Sequence, residues 1–257
     1  MSHMTAPTAA DFPRIAPVGI AGLLVSFADR LSEPANRAAL ALRAAIESGE
    51  MDGGTDGIEE VATSLTSTFI RFDPLHLDHA SLTAQLQSLL DAQDWTRADL
   101  PRGRRHFHIP CVFGTDLAPQ FDEAAAAAGL SAEAAVNSLT EARPRVLTIG
   151  FAPGQPYTGQ LDPAWDIPRQ TALTPRVPEG ALVVAIRQLI IFSAPTQTGW
   201  RHIGQTAFRC FRPEAEDPFA LRPGDEISLR AITPAELERI RAQDTSGQGG
   251  ADVEDIQ

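Results

Sequence analysis

One tyrosine, two arginines, two glutamines, a tryptophan and a histidine are the side chains of this sequence best suited to hold a small polar ligand. Tyr157 is the only tyrosine and sits on Gly150-Phe151-Ala152-Pro153-Gly154-Gln155-Pro156-Tyr157-Thr158-Gly159. Three glycines and two prolines keep that loop on a fixed, non-helical path. Downstream, Arg169 and Arg176 flank a proline-bounded loop, Gln188 interrupts an apolar run, and Gln197-Thr198-Gly199-Trp200 leads into His202. A guanidinium pairs with a carboxylate at two points while staying charged. A phenol donates to a carbonyl oxygen, a carboxamide orients an amide, and an indole offers a flat wall. Tyr157, Arg169 and Arg176 are therefore the candidate catalytic residues. Gln155, Gln188, Trp200 and His202 are the candidate substrate contacts, and the chemistry is recognition of a carboxylate or carboxamide. His106 and His108 alternate on a predicted strand, about 7 Å apart on one face. No carboxylate or cysteine is spaced in the sequence to complete a metal site with them, so no metal is expected.

What the sequence lacks narrows the chemistry further. It contains no Gly-x-Ser-x-Gly elbow, no His-Glu-x-x-His pair and no Cys-x-x-Cys. It also contains no lysine, all 21 basic residues being arginine. That excludes a P-loop, a Schiff-base amine and a biotin-carrying ε-amine on this chain. A net charge of −12 repels phosphate backbones and anionic lipid, so neither nucleic acid nor membrane is an expected partner. With no leader-like start and no apolar run near the ~20 residues a bilayer requires, the chain reads as cytoplasmic. Cys111 and Cys210, widely separated, read as buried free thiols.

The elements that must position these residues fall into two groups. Residues 18–100 read as an α+β domain: strands Gly19–Phe27 and Ser64–Phe72, and helices opened by Ser32 and Asp78. Leu82, Leu86, Leu89 and Leu90 recur at helical spacing in the second helix, and Glu50–Gly57 reads as a flexible turn. Residues 103–235 open with strand Arg104–Val112 and two short helices, the first ending at Gly129. Short strands then follow at Val146–Phe151, Ala181–Ile186, Leu189–Ser193, Thr206–Phe211 and Glu226–Ile232, a spacing that indicates a small barrel or sandwich. Thr233-Pro234-Ala235-Glu236 predicts a capped final helix. Residues 1–17 and 242–257 read as flexible tails.

Taken in order, GFAPGQPYTG, PR…RVPEG, Q…GW..IGQT and LRPGD.I resemble the family of the 5-oxoprolinase B subunit, also called allophanate hydrolase subunit 1. SFADR and SL…FDP echo its N-terminal half more weakly. The resemblance implies an N-terminal α+β domain followed by a cyclophilin-like β-barrel. It implies one subunit of an ATP-dependent enzyme that processes an amide or lactam, nearest to conversion of 5-oxoproline to glutamate. The partner would resemble the 5-oxoprolinase C subunit or allophanate hydrolase subunit 2, and ATP would bind with or through it. Related members imply two alternatives, a regulatory protein that inhibits a sensor kinase and the carboxyltransferase component of a urea-carboxylase-like system. This chain departs from the family pattern inside the expected site. Gln155 stands for a usual Phe, Thr158 for Leu, Ala172-Leu173 for Pro-Arg, Leu139 for a histidine and Thr198 for a glycine.

Overall fold

The structure, a computed structural model, describes residues 12–51 and 54–256. The chain divides into two compact units, Met1–Pro101 and Arg102–Gln257. The first contains β1 (Arg14–Pro17), β2 (Gly22–Ser26), α1 (Glu33–Glu47), β3 (Ile58–Thr63), β4 (Ser67–Phe72) and α2 (His79–Asp91). Its strands form one antiparallel sheet in the order β1-β2-β4-β3. Ser32 caps α1 by accepting from the Ala35 N–H at 3.3 Å, and Asp78 caps α2 by accepting from the Ser81 N–H at 2.9 Å. Leu23, Val25, Ile70 and Phe72 on the sheet pack against Leu42 and Ile46 of α1 and Leu82, Leu86 and Leu90 of α2. A buried hydrogen bond from Thr68 Oγ1 to the Ala39 carbonyl, 2.9 Å, ties β4 to α1.

The second unit contains β5 (Arg104–Phe113), α3 (Phe121–Ala127), α4 (Ala132–Glu141), β6 (Arg145–Ile149), β7 (Pro156–Gly159), β8 (Thr174–Val177), β9 (Ala181–Ala185), β10 (Gln188–Ile191), β11 (Thr196–Thr198), β12 (Arg201–Gln205), β13 (Glu226–Ala231), α5 (Pro234–Gln243) and β14 (Asp252–Ile256). Seven strands close into a barrel in the order β12-β9-β10-β7-β6-β13-β5, with β5 returning to β12. The closure is short: Val112 pairs with Gln205 and Phe113 with Gly204. β5 and β13 run parallel, while β8 and β11 form a separate antiparallel pair. Ile109, Cys111, Leu182, Val184, Leu189, Ile191, Ile203 and Ile227 belong to the core of this unit. Both cysteines are free and buried, and burial pushes their thiols far above the ordinary value.

Strands β3, β7, β8, β11 and β12 lie where no strand was expected, and three further segments differ from the sequence expectations. Residues 206–211 are not a strand: Thr206 Oγ1 donates to the Gly180 carbonyl and accepts from the Phe208 N–H, turning the chain off the sheet after β12. Residues 242–257 are not wholly a tail, because β14 pairs with β5 along Asp252–Ile256. Its four leading residues are exposed and mostly acidic, so composition hides a strand that hydrogen bonding makes. Arg14–Pro17 likewise pairs with β2. The remainder of the expected N-terminal tail, residues 1–11, and Asp52-Gly53 of the expected turn lie outside the described residues.

A Cβ at Gly204 would sit 2.6 Å from Cys111 Sγ and 3.2 Å from Leu182 Cδ2, so the closure of β12 on β5 requires a residue without a side chain there. Gly204→Ala is expected to destabilise the chain by about 1–3 kcal/mol, the cost of overpacking a core. Adding Cys111→Ala should restore part of that loss. Chemical denaturation of the two single variants and the double variant measures the coupling, and additive losses would show that the two positions do not meet.

Candidate functional site

The strands beneath the site are buried on both faces. Every residue of β9 and β10 is buried. Leu182, Val184, Leu189 and Ile191 belong to the main barrel core, while Val183, Ala185, Ile190 and Phe192 form a second cluster with Val177 and Trp200. Residues paired across neighbouring strands share a face. The registers therefore place His202, Val183, Ile190 and Tyr157 in one row across β12, β9, β10 and β7.

A cleft of about 390 Å³ opens on this second face. Its floor is Ile190 and Phe192, and Gln155, Tyr157, Arg169, Gln170, Thr198 and Trp200 surround it, with Phe151 and Leu173 at the mouth. The Tyr157 and Trp200 rings meet edge to face, 6.2 Å between centroids. The Arg169 guanidinium lies over the Trp200 ring, 5.2 Å from its centroid. Arg169 makes no ion pair among the described residues, so its charge is available to an anion. Trp200 is fixed from behind. Its backbone N–H donates to Thr198 Oγ1 at 3.0 Å, and its carbonyl accepts from Gln170 Nε2 at 3.2 Å. Gln120 completes the frame: its Nε2 donates to Gln170 Oε1 at 2.7 Å, and its Oε1 accepts from the His202 N–H at 2.9 Å.

The Gly150–Gly159 loop reaches the cleft through a tight turn. Gly150 N–H donates to the Gln155 carbonyl at 3.1 Å, and Gly154 has φ +69°. A Cβ on Gly154 would approach the Cys210 carbonyl oxygen to 2.6 Å, so this turn demands glycine. Phe151, at φ +68° and 76% exposed, is held in the left-handed region with its ring turned outward. Gln155 is only 1% exposed, yet its Oε1 has no hydrogen-bond partner among the described residues. A buried carboxamide oxygen left unpaired against a cleft is a ready acceptor for a ligand N–H.

Four of the seven residues singled out from the sequence thus line the cleft: Gln155, Tyr157, Arg169 and Trp200. Arg176 does not. It is exposed on β8, one residue before the inward-packed Val177, and strand alternation sends it the other way. Gln188 and His202 lie outside the cleft but on the same face of the barrel, both buried. Gln188 Nε2 and His202 Nε2 each lack a hydrogen-bond partner among the described residues. Burial holds the His202 imidazole below its ordinary value, against the opposing pull of Gly204 and Gln205. Gln120 and Gln170 were not legible as site residues, because an amide that braces a loop has no spacing signature. Phe151 could have been found only from its backbone conformation.

Residues 13–221 match the family described as carboxyltransferase domain, subdomain C and D. The chain is 26% identical over 234 residues to a Bacillus subtilis strain 168 protein named as the B subunit of 5-oxoprolinase, covering 90% of this chain and 97% of that one. The crystal structure of TTHA0988 superposes with a TM-score of 0.68 at 29% identity, covering 83% of this chain and 40% of that one. The urea amidolyase of K. lactis shares the fold, with a TM-score of 0.67 at 19% identity over 94% of this chain and 16% of that much longer one.

If Gln155 is held for a ligand, its amide costs stability rather than supplying it. Gln155→Leu keeps the volume and removes the unpaired oxygen, so thermal denaturation is expected to show an unchanged or higher midpoint. A fall of several degrees would show that the carboxamide has a structural partner.

Proposed function

This chain belongs to the carboxyltransferase-domain family, and from that premise we propose that it is one subunit of a two-subunit, ATP-dependent enzyme that opens a small lactam. The nearest reaction is conversion of 5-oxoproline to glutamate, as the name of the Bacillus subtilis relative suggests. The observation that carries the reading is Arg169, a guanidinium with no ion-pair partner among the described residues, stacked on Trp200 at a cleft that also holds Tyr157 and the unpaired amide oxygen of Gln155. A five-membered lactam bearing a carboxylate fits that set. Its carboxylate pairs with Arg169, its ring lies on Trp200, its N–H donates to Gln155 Oε1, and its carbonyl oxygen accepts from the Tyr157 hydroxyl.

An unstrained lactam carbonyl must be activated before water attacks it. Transfer of the γ-phosphoryl group to the lactam oxygen supplies that activation and releases ADP. One water then adds at the activated carbon and the C–N bond breaks, giving a free amine and an acyl phosphate. A second water releases phosphate. In this scheme the chain binds and orients the lactam, and a partner resembling the 5-oxoprolinase C subunit contributes the nucleotide site. Exposed Phe151 and Leu173 at the mouth are the kind of apolar surface that a second polypeptide covers. The family description favours one alternative, the carboxyltransferase component of a urea-carboxylase-like system, whose partner would carry biotin on its own lysine.

Co-purification from the native host, followed by assay of ATP hydrolysis, separates the readings. The first requires a second subunit and hydrolysis that depends on 5-oxoproline, seen with the pair and with neither chain alone. In that pair, Arg169→Ala should weaken 5-oxoproline binding by about 10- to 150-fold, equivalent to ~1.5–3 kcal/mol for a hydrogen bond to a charged group. A biotinylated partner, or an assembled pair whose ATP hydrolysis ignores 5-oxoproline, would overturn it.

A further inference from the structure

Far from the cleft in sequence, β14 brings a carboxylate to the two histidines of β5. We propose that His106, His108 and Glu254 form a site for a divalent transition metal, zinc above all, that fastens the C-terminal strand to the barrel. The register pairs Glu254 with His106 and Asp252 with His108, so all four side chains project from one face of the sheet. His106 Nδ1 lies 3.0 Å from Glu254 Oε1, and His108 Nε2 lies 3.4 Å from the same oxygen. Ligand atoms bonded to tetrahedral zinc at about 2.0–2.1 Å are ~3.3 Å apart, and these two separations bracket that value. The three ligand atoms all lie within 4.8 Å of one another. Any remaining adjustment falls on His108 and Glu254, which are 42% and 58% exposed at the side chain.

The surroundings favour a metal over a simple ion pair. The second ring nitrogen of His106, Nε2, lies 2.8 Å from Ser228 Oγ on β13. A ligating imidazole is characteristically held in this way through its other nitrogen, which fixes the ring's tautomer and direction. The neighbouring guanidiniums of Arg104 and Arg143 each pair with Glu226, while the hydrogen bonds of the Glu254 carboxylate run to the two histidines. Two imidazoles and one carboxylate suit zinc, nickel or copper rather than calcium or magnesium. With three protein ligands, zinc would keep a fourth position for water. Ser228 and Glu254 both lie beyond residue 221, the last matched to the family, so the site depends on a part of the chain outside that match. Because β14 supplies one ligand, binding energy would become stability of that strand.

The full chain, freed of metal with EDTA and dialysed, is titrated with zinc chloride by calorimetry. One zinc per chain is expected, with affinity lowered at least about tenfold in both His108→Ala and Glu254→Gln. His106→Ala should abolish binding. Since it also empties a buried position, the two exposed variants, checked for folding by circular dichroism, carry the test. Zinc should also slow amide exchange at Val253 and Asp255 in the wild type, and not in Glu254→Gln. No binding, or equal affinity in wild type, His108→Ala and Glu254→Gln, would overturn the proposal.

Discussion

Strands β9 and β10 are buried on both sides and almost wholly apolar, and the second unit is arranged around covering them twice. Their inward residues are absorbed by the barrel core. The outward ones, Val183, Ala185, Ile190 and Phe192, would otherwise present a continuous apolar strip to water at about 25 cal/mol per Å². Trp200 and Val177, from the segment that carries β8 and β11, lie across that strip. The cover is incomplete, and the cleft is the part of the strip it leaves open. The site's location thus follows from burial, and its chemistry from the few polar groups that border the opening.

Those polar groups are held against the interest of stability. Gln155 Oε1, Gln188 Nε2 and His202 Nε2 are buried on or beside one face of the barrel without hydrogen-bond partners among the described residues. An unpaired buried polar atom costs on the order of 1–3 kcal/mol. Phe151 in the left-handed region adds backbone strain at the mouth of the same cleft. Unpaired buried polar atoms and backbone strain thus meet around the cleft, which is the pattern of a surface kept for a ligand. The frame behind it is by contrast well bonded, through the Gln120 and Gln170 carboxamides and the Trp200 backbone.

How much of this was legible in the sequence depended on period and on distance along the chain. Helices α1 and α2 were readable because Ser32 and Asp78 announce their starts and leucines mark the buried face of the second. The run from Ala181 to Phe192 shows strands but not their two covers, since burial on both faces erases alternation. What broke it was not a lone polar insertion: Ile186 and Arg187, both at positive φ, form the turn, and Gln188 begins the next strand. Arg169 and Arg176 look equivalent as letters flanking a loop, and only the alternation of β8 separates a cleft residue from a solvent-facing one. Glu254 could not have been joined to His106 and His108 from the sequence, because an acidic, exposed segment carries no apolar signal for a strand.

The central claim is that the face over β9 and β10 receives a carboxylate-bearing lactam through Arg169 and Trp200. A crystal structure of the chain, alone or with its partner, in complex with 5-oxoproline tests this most directly. The ligand's carboxylate is expected within hydrogen-bonding distance of the Arg169 guanidinium and its ring against Trp200, with Gln155 Oε1 facing the lactam N–H. Ligand ordered elsewhere on the chain or on the partner, with water alone between Tyr157 and Arg169, would contradict it.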